Sequence, residues 1–177
     1  MNIPTKITLF RIFLVPVFAV LALSQMKFGN ILAAAVFIIA SISDFIDGYY
    51  ARRYNMVTNL GKFLDPLADK ILVLTAMIIL VSTGRLAVWI LIVIMCRDFM
   101  VDGLRLLAIE HNEVIAASKV AKLKTAMQMV MVIVLLLSGV FTAEWYIVLC
   151  HVITALAVWL TVYTGCDYVV KGRKFIQ

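Results

Sequence analysis

The sequence predicts an all-α integral membrane protein with six transmembrane helices, and three observations support that fold class. Hydrophobic residues make up 64% of the 177 residues and charged residues only 15%, whereas a soluble domain carries roughly 25% charged residues. The mean hydropathy is +1.06. Apolar stretches of about 20 residues, the length that crosses a ~30 Å hydrocarbon core, recur along the whole chain. So few charges cannot cover a water-facing surface, and lipid is the expected solvent.

Six stretches have the length and composition of membrane helices, and short polar or glycine-containing segments separate them. They are expected at residues 5–24, 30–52, 62–82, 86–109, 117–140 and 145–170. No small-residue cleavage site follows the first stretch, which is therefore predicted to be a membrane helix and not a cleaved signal. Neither a repeat nor a separate soluble segment interrupts the series. Residues 1–177 are expected to form a single membrane domain.

The distribution of basic residues predicts that both termini are cytoplasmic. In that orientation 14 of the 16 lysines and arginines fall on the cytoplasmic side, and only Lys27 and Arg85 fall outside. This is the bias that membrane proteins show. Trp89 and Trp145 then lie near outer helix ends, where aromatic belts form. The net charge of +6 does not indicate a nucleic-acid partner, because the basic residues are dispersed between apolar stretches.

Four aspartates are concentrated in the segment SDFIDGYYARRYNMVTNLGKFLDPLADK, residues 43–70. Asp44 and Asp47 are three residues apart, and Asp65 and Asp69 are four apart on the next expected helix. Residues at these spacings share a helix face. The small residues on the same two faces are Gly48, Ala51 and Gly61. A turn between the helices would allow the two acidic faces to meet.

Converging carboxylates near a membrane need a compensating charge. A charged side chain at the centre of a membrane helix costs about 2.5–3.5 kcal/mol on insertion scales. Carboxylate oxygens suit hard cations such as Mg²⁺ or Mn²⁺, and a pair of ions about 3.5–4 Å apart can clamp the oxygens of a phosphoryl transfer. The alternative is that the aspartates cap helices and pair with nearby cations, since Asp65-Pro66 resembles an N-cap followed by a proline.

The spacing of these residues resembles the signature of the CDP-alcohol phosphatidyltransferase family. The matching pattern is Asp44-x2-Asp47-Gly48-x2-Ala51-Arg52-x8-Gly61-x3-Asp65-x3-Asp69. With the expected helix count, the resemblance extends over essentially the whole chain. It implies the CDP-alcohol phosphotransferase fold and a metal-dependent transfer of a phosphatidyl group from CDP-diacylglycerol to a small alcohol, with CMP as leaving group. It also implies a homodimer in the bacterial inner membrane, with its active site facing the cytoplasm.

The resemblance also implies a role for each signature residue. Asp44, Asp47 and Asp65 would bind two Mg²⁺ or Mn²⁺ ions, with Asp69 beside them as general base for the acceptor hydroxyl. The residues implied to surround the cytidine diphosphate are Gly48, Ala51, Arg52 and Gly61. The amino terminus is similar to that of family members that use glycerol 3-phosphate, and its Asn2, Pro4 and Thr8 are expected near the nucleotide. An interfacial helix start with capping and snorkelling side chains would explain the amino terminus equally well.

A second set of polar residues predicts a phosphate on the acceptor. The set comprises Arg97, Arg105, Lys119, Lys122, Lys124 and Thr125. Arg97 and Arg105 are eight residues apart and should face the same way. Cations within membrane helices are costly and usually functional, and arginine binds phosphate oxygens bidentately. Glycerol 3-phosphate carries such a phosphate, and its product would be phosphatidylglycerophosphate. Alternatively, these residues pair with nearby acids, Asp98 among them, or contact anionic lipid.

Two other functions are compatible with parts of the sequence. One is the same family reaction with another acceptor, inositol phosphate or serine. The other is a divalent-cation transporter, because acids within membrane helices also mark ion pathways. The small residues beside the aspartates and the cytoplasmic position of the acids favour the transferase.

Overall fold

A computed structural model describes most of the chain. It covers the backbone of residues 3–24, 26, 28–53, 59–110, 119–141 and 143–172, and the side chains of residues 7–24, 26, 28–43, 67–68, 70–108, 120–141 and 143–170. The helices in this part are α1 (Ile3–Leu23), α2 (Gly29–Arg53), α3 (Asn59–Ser82), α4 (Val88–Glu110), α5 (Lys119–Leu137) and α6 (Glu144–Gly172). The described chain contains no strand, which confirms the all-α prediction, and the helix ends lie within three residues of those expected.

In the part of the chain that the structure describes, two helices have the length and composition needed to cross a membrane. They are α5 over Val120–Leu137, with mean hydropathy 1.9, and α6 over Glu144–Val170, with mean hydropathy 2.0. The apolar parts of the first three helices are shorter, at Ile7–Leu23, Gly29–Ser43 and Lys70–Ser82. In α2 and α3 the remaining turns are those that carry the aspartate motif. Six membrane crossings therefore stay a prediction.

The first of two compact units contains α1, α2 and α3, together with residues 132–142. Helix α1 packs against α2 and α3, and α2 also contacts α3. The rings of Phe18 and Phe37 are fully buried and lie 5.8 Å apart, centroid to centroid. Buried alanines at positions 33, 40 and 76 leave room for close helix approach. This packing makes α2 and α3, the two motif-bearing helices, direct neighbours.

The end of α3 is set by Gly84. Its φ of 70° lies in the left-handed region that glycine adopts without steric cost. The Arg85 backbone N–H donates to the Leu80 carbonyl at 2.8 Å, and the Gly84 N–H donates to the Val81 carbonyl at 3.0 Å. This pair of bonds is the Schellman motif, which satisfies the last carbonyls of a helix. The helix break expected here is confirmed.

The Arg85 side chain connects this turn to two other parts of the same unit. Its Nη1 donates to Asn30 Oδ1 at 3.1 Å and to the Leu136 carbonyl at 3.2 Å. Burial lowers the pKa of the Arg85 guanidinium. The hydrogen bonds therefore hold together the start of α2, the turn after α3 and the end of α5.

The second compact unit contains α4, residues 119–131 of α5, and α6. Helices α4 and α6 pack against each other. Large apolar side chains point outward on both, including Leu106, Trp159 and Val170, which are 69%, 62% and 74% exposed. Outward apolar surface of this extent is what a lipid-facing helix presents. Trp89 and Trp145 lie exposed in the first turns of α4 and α6. The single-domain organisation stays a prediction.

Candidate functional site

The four motif aspartates lie on the two neighbouring helices. Asp44 and Asp47 belong to α2, and Asp65 and Asp69 belong to α3. Both helices run without a break through these positions, as the spacing argument requires. The four side chains lie outside the described residues. Among the side chains that are described, no group of three or more His, Cys, Asp or Glu residues could hold a metal ion.

The backbone excludes a capping role for Asp65. Helix α3 begins at Asn59, six residues earlier, so Asp65-Pro66 is in the interior of the helix. Asp44 and Asp47 lie within the last three turns of α2, which ends at Arg53. Both are more than one turn before that end and therefore cap no helix terminus. Helix capping therefore explains neither pair of acids.

The residues expected around the nucleotide are only partly described. Thr8 is fully buried on α1, and Arg11, one turn further on, is fully buried as well. Charged side chains are almost never fully buried without compensation, so Arg11 marks a polar region within the first unit. The remaining nucleotide residues have side chains outside the described part of the chain. They are Asn2, Pro4, Gly48, Ala51, Arg52 and Gly61.

Arg97 and Lys124, two of the predicted acceptor residues, share one carboxylate in the second unit. Lys124 Nζ lies 2.6 Å from Asp98 Oδ1 and 2.9 Å from Oδ2. Arg97 Nη1 donates to Asp98 Oδ1 at 3.0 Å. The Lys124 side chain is 3% exposed and that of Arg97 is 11% exposed. This contact with Asp98 is the pairing that the sequence offered as the alternative to an acceptor role, and it holds a lysine of α5 beside an arginine of α4. An acceptor role for Arg97 and Lys124 stays a prediction.

Arg105 joins the same group through Tyr168 of α6. Its Nη2 donates to Tyr168 Oη at 2.8 Å, and its Cζ lies 5.3 Å from the centroid of the tyrosine ring. Arg97 Cζ is 5.5 Å from the same centroid. Both arginines therefore lie on one face of α4, as their spacing predicted. We call Arg97, Asp98, Arg105, Lys124 and Tyr168 the basic cluster.

The other predicted acceptor residues are placed differently. Lys122 is exposed, and so is Thr125, whose hydroxyl donates to the Ala121 carbonyl at 3.3 Å. Positions 122 and 124 lie about 200° apart around a helix with 3.6 residues per turn, so Lys122 and Lys124 point to different sides of α5. The Lys119 side chain lies outside the described residues. An acceptor role for these three residues stays a prediction.

Sequence reasoning did not assign a role to Tyr168. Helix α6 also contains Tyr146, which is buried, and Tyr163, which is exposed, and the spacing of the three tyrosines does not single out Tyr168. The sequence feature that could have indicated this packing is on α4, where Val101 lies midway between Arg97 and Arg105. Val101 is 2% exposed and belongs to a buried cluster with Ala121 and Tyr168. A small apolar residue between two arginines left space for a ring from another helix.

Comparison with known proteins decides the family. The model of the CDP-alcohol phosphatidyltransferase family matches residues 1–164, which include all four motif aspartates and most of the basic cluster. The chain belongs to that family. This membership confirms the resemblance drawn from the signature.

Individual family members are similar to the chain over nearly its whole length. The CDP-diacylglycerol–glycerol-3-phosphate 3-phosphatidyltransferase of Bacillus subtilis (strain 168) is 43% identical over 188 aligned residues, covering 99% of this chain and 97% of the relative. The enzyme of the same name from Rickettsia typhi is 36% identical, with 94% of each chain covered. A probable phosphatidylglycerophosphate synthase of Mycobacterium tuberculosis is 40% identical, covering 99% of this chain and 83% of the relative.

Proposed function

We propose that this CDP-alcohol phosphatidyltransferase transfers the phosphatidyl group of CDP-diacylglycerol to glycerol 3-phosphate in acidic phospholipid biosynthesis. The products are phosphatidylglycerophosphate and CMP. The observation that carries the proposal is the similarity, over 99% of the chain, to a relative named for this reaction. The basic cluster supports the choice of acceptor, because glycerol 3-phosphate presents a phosphate to it whereas serine does not.

The motif aspartates are suited to a divalent metal. Their carboxylate oxygens are the ligands that Mg²⁺ and Mn²⁺ prefer, their helices α2 and α3 are in contact, and neither pair has a capping role. Asp44, Asp47 and Asp65 would hold two ions, with Asp69 adjacent. When bound, the ions would neutralise the pyrophosphate of the donor and the charge that develops on the departing CMP.

The reaction also requires a base and an ordered donor. Asp69 accepts the proton of the acceptor hydroxyl, and the resulting oxygen attacks the phosphorus that carries diacylglycerol. Placement of the two substrates accounts for much of the acceleration. The residues that hold the cytidine diphosphate in this proposal are Asn2, Pro4, Thr8, Gly48, Ala51, Arg52 and Gly61.

The acceptor phosphate binds to the basic residues of α4 and α5 in this proposal. Arg97, Arg105 and Lys124 lie in the basic cluster, and Lys119, Lys122 and Thr125 complete the proposed set. A guanidinium binds two phosphate oxygens at once. Burial strengthens these interactions, because fewer water molecules screen the charges.

The enzyme is proposed to act as a homodimer in the bacterial inner membrane. Six helices cross the bilayer, both termini are cytoplasmic, and the active site faces the cytoplasm, where soluble glycerol 3-phosphate is available. The outward apolar residues of α4 and α6 support contact with lipid. The distribution of lysine and arginine supports the orientation.

To test the acceptor, the protein is purified in detergent–lipid micelles that contain Mg²⁺ or Mn²⁺. It is then given CDP-diacylglycerol and one alcohol at a time. Glycerol 3-phosphate, inositol phosphate and serine are compared by CMP release and by identification of the lipid product. Of the three alcohols, we expect only glycerol 3-phosphate to give a lipid product. Product with another alcohol and none with glycerol 3-phosphate would refute the acceptor assignment. Metal flux into protein-containing vesicles without CMP release would instead favour a transporter.

A further inference from the structure

Tyr168 contacts two arginines that lie two helical turns apart on α4. Arg97 and Arg105 are separated by eight residues, or about 12 Å of helix rise, yet the Cζ atoms of both lie within 5.5 Å of the tyrosine ring centroid. The ring is 1% exposed and belongs to the buried cluster of Val101 and Ala121. A single side chain of α6 thus has a packed position against α4 and borders both guanidinium groups.

The two arginines retain hydrogen-bonding capacity inside the protein. Arg97 uses Nη1 for Asp98, and Arg105 uses Nη2 for the Tyr168 hydroxyl. In the described part of the chain, the buried atoms Arg97 Nε, Arg97 Nη2 and Arg105 Nε have no hydrogen-bond partner. Buried donors are nearly always satisfied, so each exception needs an explanation such as a bound ligand. Such guanidinium N–H groups are the donors from which phosphate oxygens accept.

Arg105 carries a charge that no described carboxylate neutralises. Its partner is a phenol, whereas Arg97 and Lys124 both contact Asp98. In the described part of the chain, the partners of Arg105 are a hydroxyl and an aromatic face, and a partly buried cation in such surroundings is poised to accept an external negative charge. Tyr168 therefore contacts both of the arginines that carry unpaired N–H donors, and one of them is Arg105.

We propose that Tyr168 is a positioning residue for the acceptor phosphate, an inference that rests on the proposed function. The ring fixes both guanidinium groups by cation–π contact, and the hydroxyl fixes the rotation of Arg105. Arginine loses considerable rotamer freedom when it binds an anion. Ordering the two side chains before glycerol 3-phosphate arrives reduces that loss and strengthens binding.

A purely structural role for Tyr168 makes a different prediction. If the ring only fills space against Val101 and Ala121, its alteration should lower stability and affect both substrates alike. A positioning role should affect the KM for glycerol 3-phosphate and leave the KM for CDP-diacylglycerol and the kcat unchanged. The two roles are therefore separated by kinetics with each substrate varied in turn.

The test compares Tyr168→Phe with Tyr168→Leu in purified protein. Tyr168→Phe keeps the ring and loses the hydrogen bond to Arg105, and we expect the KM for glycerol 3-phosphate to rise about tenfold, as for one hydrogen bond to a charged group. Tyr168→Leu also loses the cation–π contacts, and we expect a larger rise. The matched control is Tyr163→Phe, because Tyr163 lies on the same helix, is exposed and stacks on Trp159 at 5.6 Å.

A second readout uses inorganic phosphate as a competitor of glycerol 3-phosphate. Its inhibition constant should rise in Tyr168→Phe by the same factor as the KM, and should be unchanged in Tyr163→Phe. Unchanged constants in Tyr168→Phe, or equal effects on both substrates, would overturn the inference alone. A wild-type protein that releases no CMP with glycerol 3-phosphate would refute the proposed function and the inference together. Tyr168→Phe keeps the test decisive even if Tyr168→Leu does not fold.

Discussion

Lys122 and Lys124 are two residues apart on α5 and have opposite surroundings. Lys122 is exposed, whereas the Lys124 side chain is 3% exposed and lies 2.6 Å from Asp98. A lysine removed from water must recover its lost hydration through fixed partners. The structure therefore distinguishes, by exposure and by ion pairing, two lysines that the sequence alone treated as equivalent.

Lys124→Met should raise the KM for glycerol 3-phosphate at least tenfold. The change keeps most of the apolar stem and removes the charge, and a hydrogen bond to a charged group contributes about 1.5–3 kcal/mol. Lys122→Met, at an exposed member of the proposed acceptor set, should raise the KM by a smaller factor, because water screens an exposed charge. The control is Glu144→Gln, at an exposed acid in the first turn of α6, which should keep the wild-type KM. Steady-state CMP release at saturating CDP-diacylglycerol measures all three. A wild-type KM in Lys124→Met would remove Lys124 from the acceptor site.

Asp69→Asn should reduce kcat about 100-fold or more, because a positioned general base contributes 10²–10⁴-fold. The amide keeps the size of the carboxylate but cannot accept the acceptor proton. The control is Glu144→Gln, at an exposed acid in the first turn of α6, which should keep the wild-type rate. Rates are measured as CMP release with both substrates saturating. Near-normal turnover of Asp69→Asn would show that Asp69 is not the base.

At the scale of the elements, apolar length and turn residues predicted all the described helices. The break after α3 was the clearest case, since Gly84 at φ 70° is the residue type that a left-handed helix end favours. The start of α3 was less accurate. The sequence prediction missed three helical residues, 59–61. They lie in the polar motif, and polar residues near the end of a membrane helix do not contribute to a hydrophobic stretch.

Gly84→Ala should lower the free energy of unfolding by about 1–2 kcal/mol, the cost of a left-handed conformation for a residue with a Cβ. No atom lies within 4 Å of the added methyl group, so the loss is purely conformational. Gly103→Ala, within α4 and equally open, should be neutral or stabilising by up to about 1 kcal/mol. Thermal unfolding in detergent compares them. An unchanged melting temperature for Gly84→Ala would contradict this account of the helix end.

At the scale of the whole molecule, contacts between distant helices were the least predictable part. The sequence placed Arg97 and Arg105 on one face because helical periodicity is local. It could not indicate that Tyr168, 63 residues beyond Arg105, would pack there, since periodicity says which residues share a face but not which helix covers it. Likewise, the pairing of Asp98 with Lys124 spans 26 residues and was only one of several alternatives.

The functional residues also explain why the membrane signal is uneven. Helices α5 and α6 pass the length and hydropathy criterion, whereas α4 carries Arg97, Asp98, Asp102 and Arg105 within its span. A membrane enzyme that handles charged substrates must place polar groups in its helices. The motif aspartates of α2 and α3, and Arg97 and Arg105 of α4, therefore weaken the hydropathy of their helices and are also residues of the proposed reaction.

We expect phosphatidyl transfer to glycerol 3-phosphate to occur at a metal site built from the carboxylates of α2 and α3. The most direct measurement is the rate of phosphatidylglycerophosphate formation by purified protein as a function of free divalent cation, beginning from chelated enzyme. We expect no product in the presence of chelator and recovery of the rate on addition of Mg²⁺ or Mn²⁺. A rate that is undiminished by chelation would contradict this expectation.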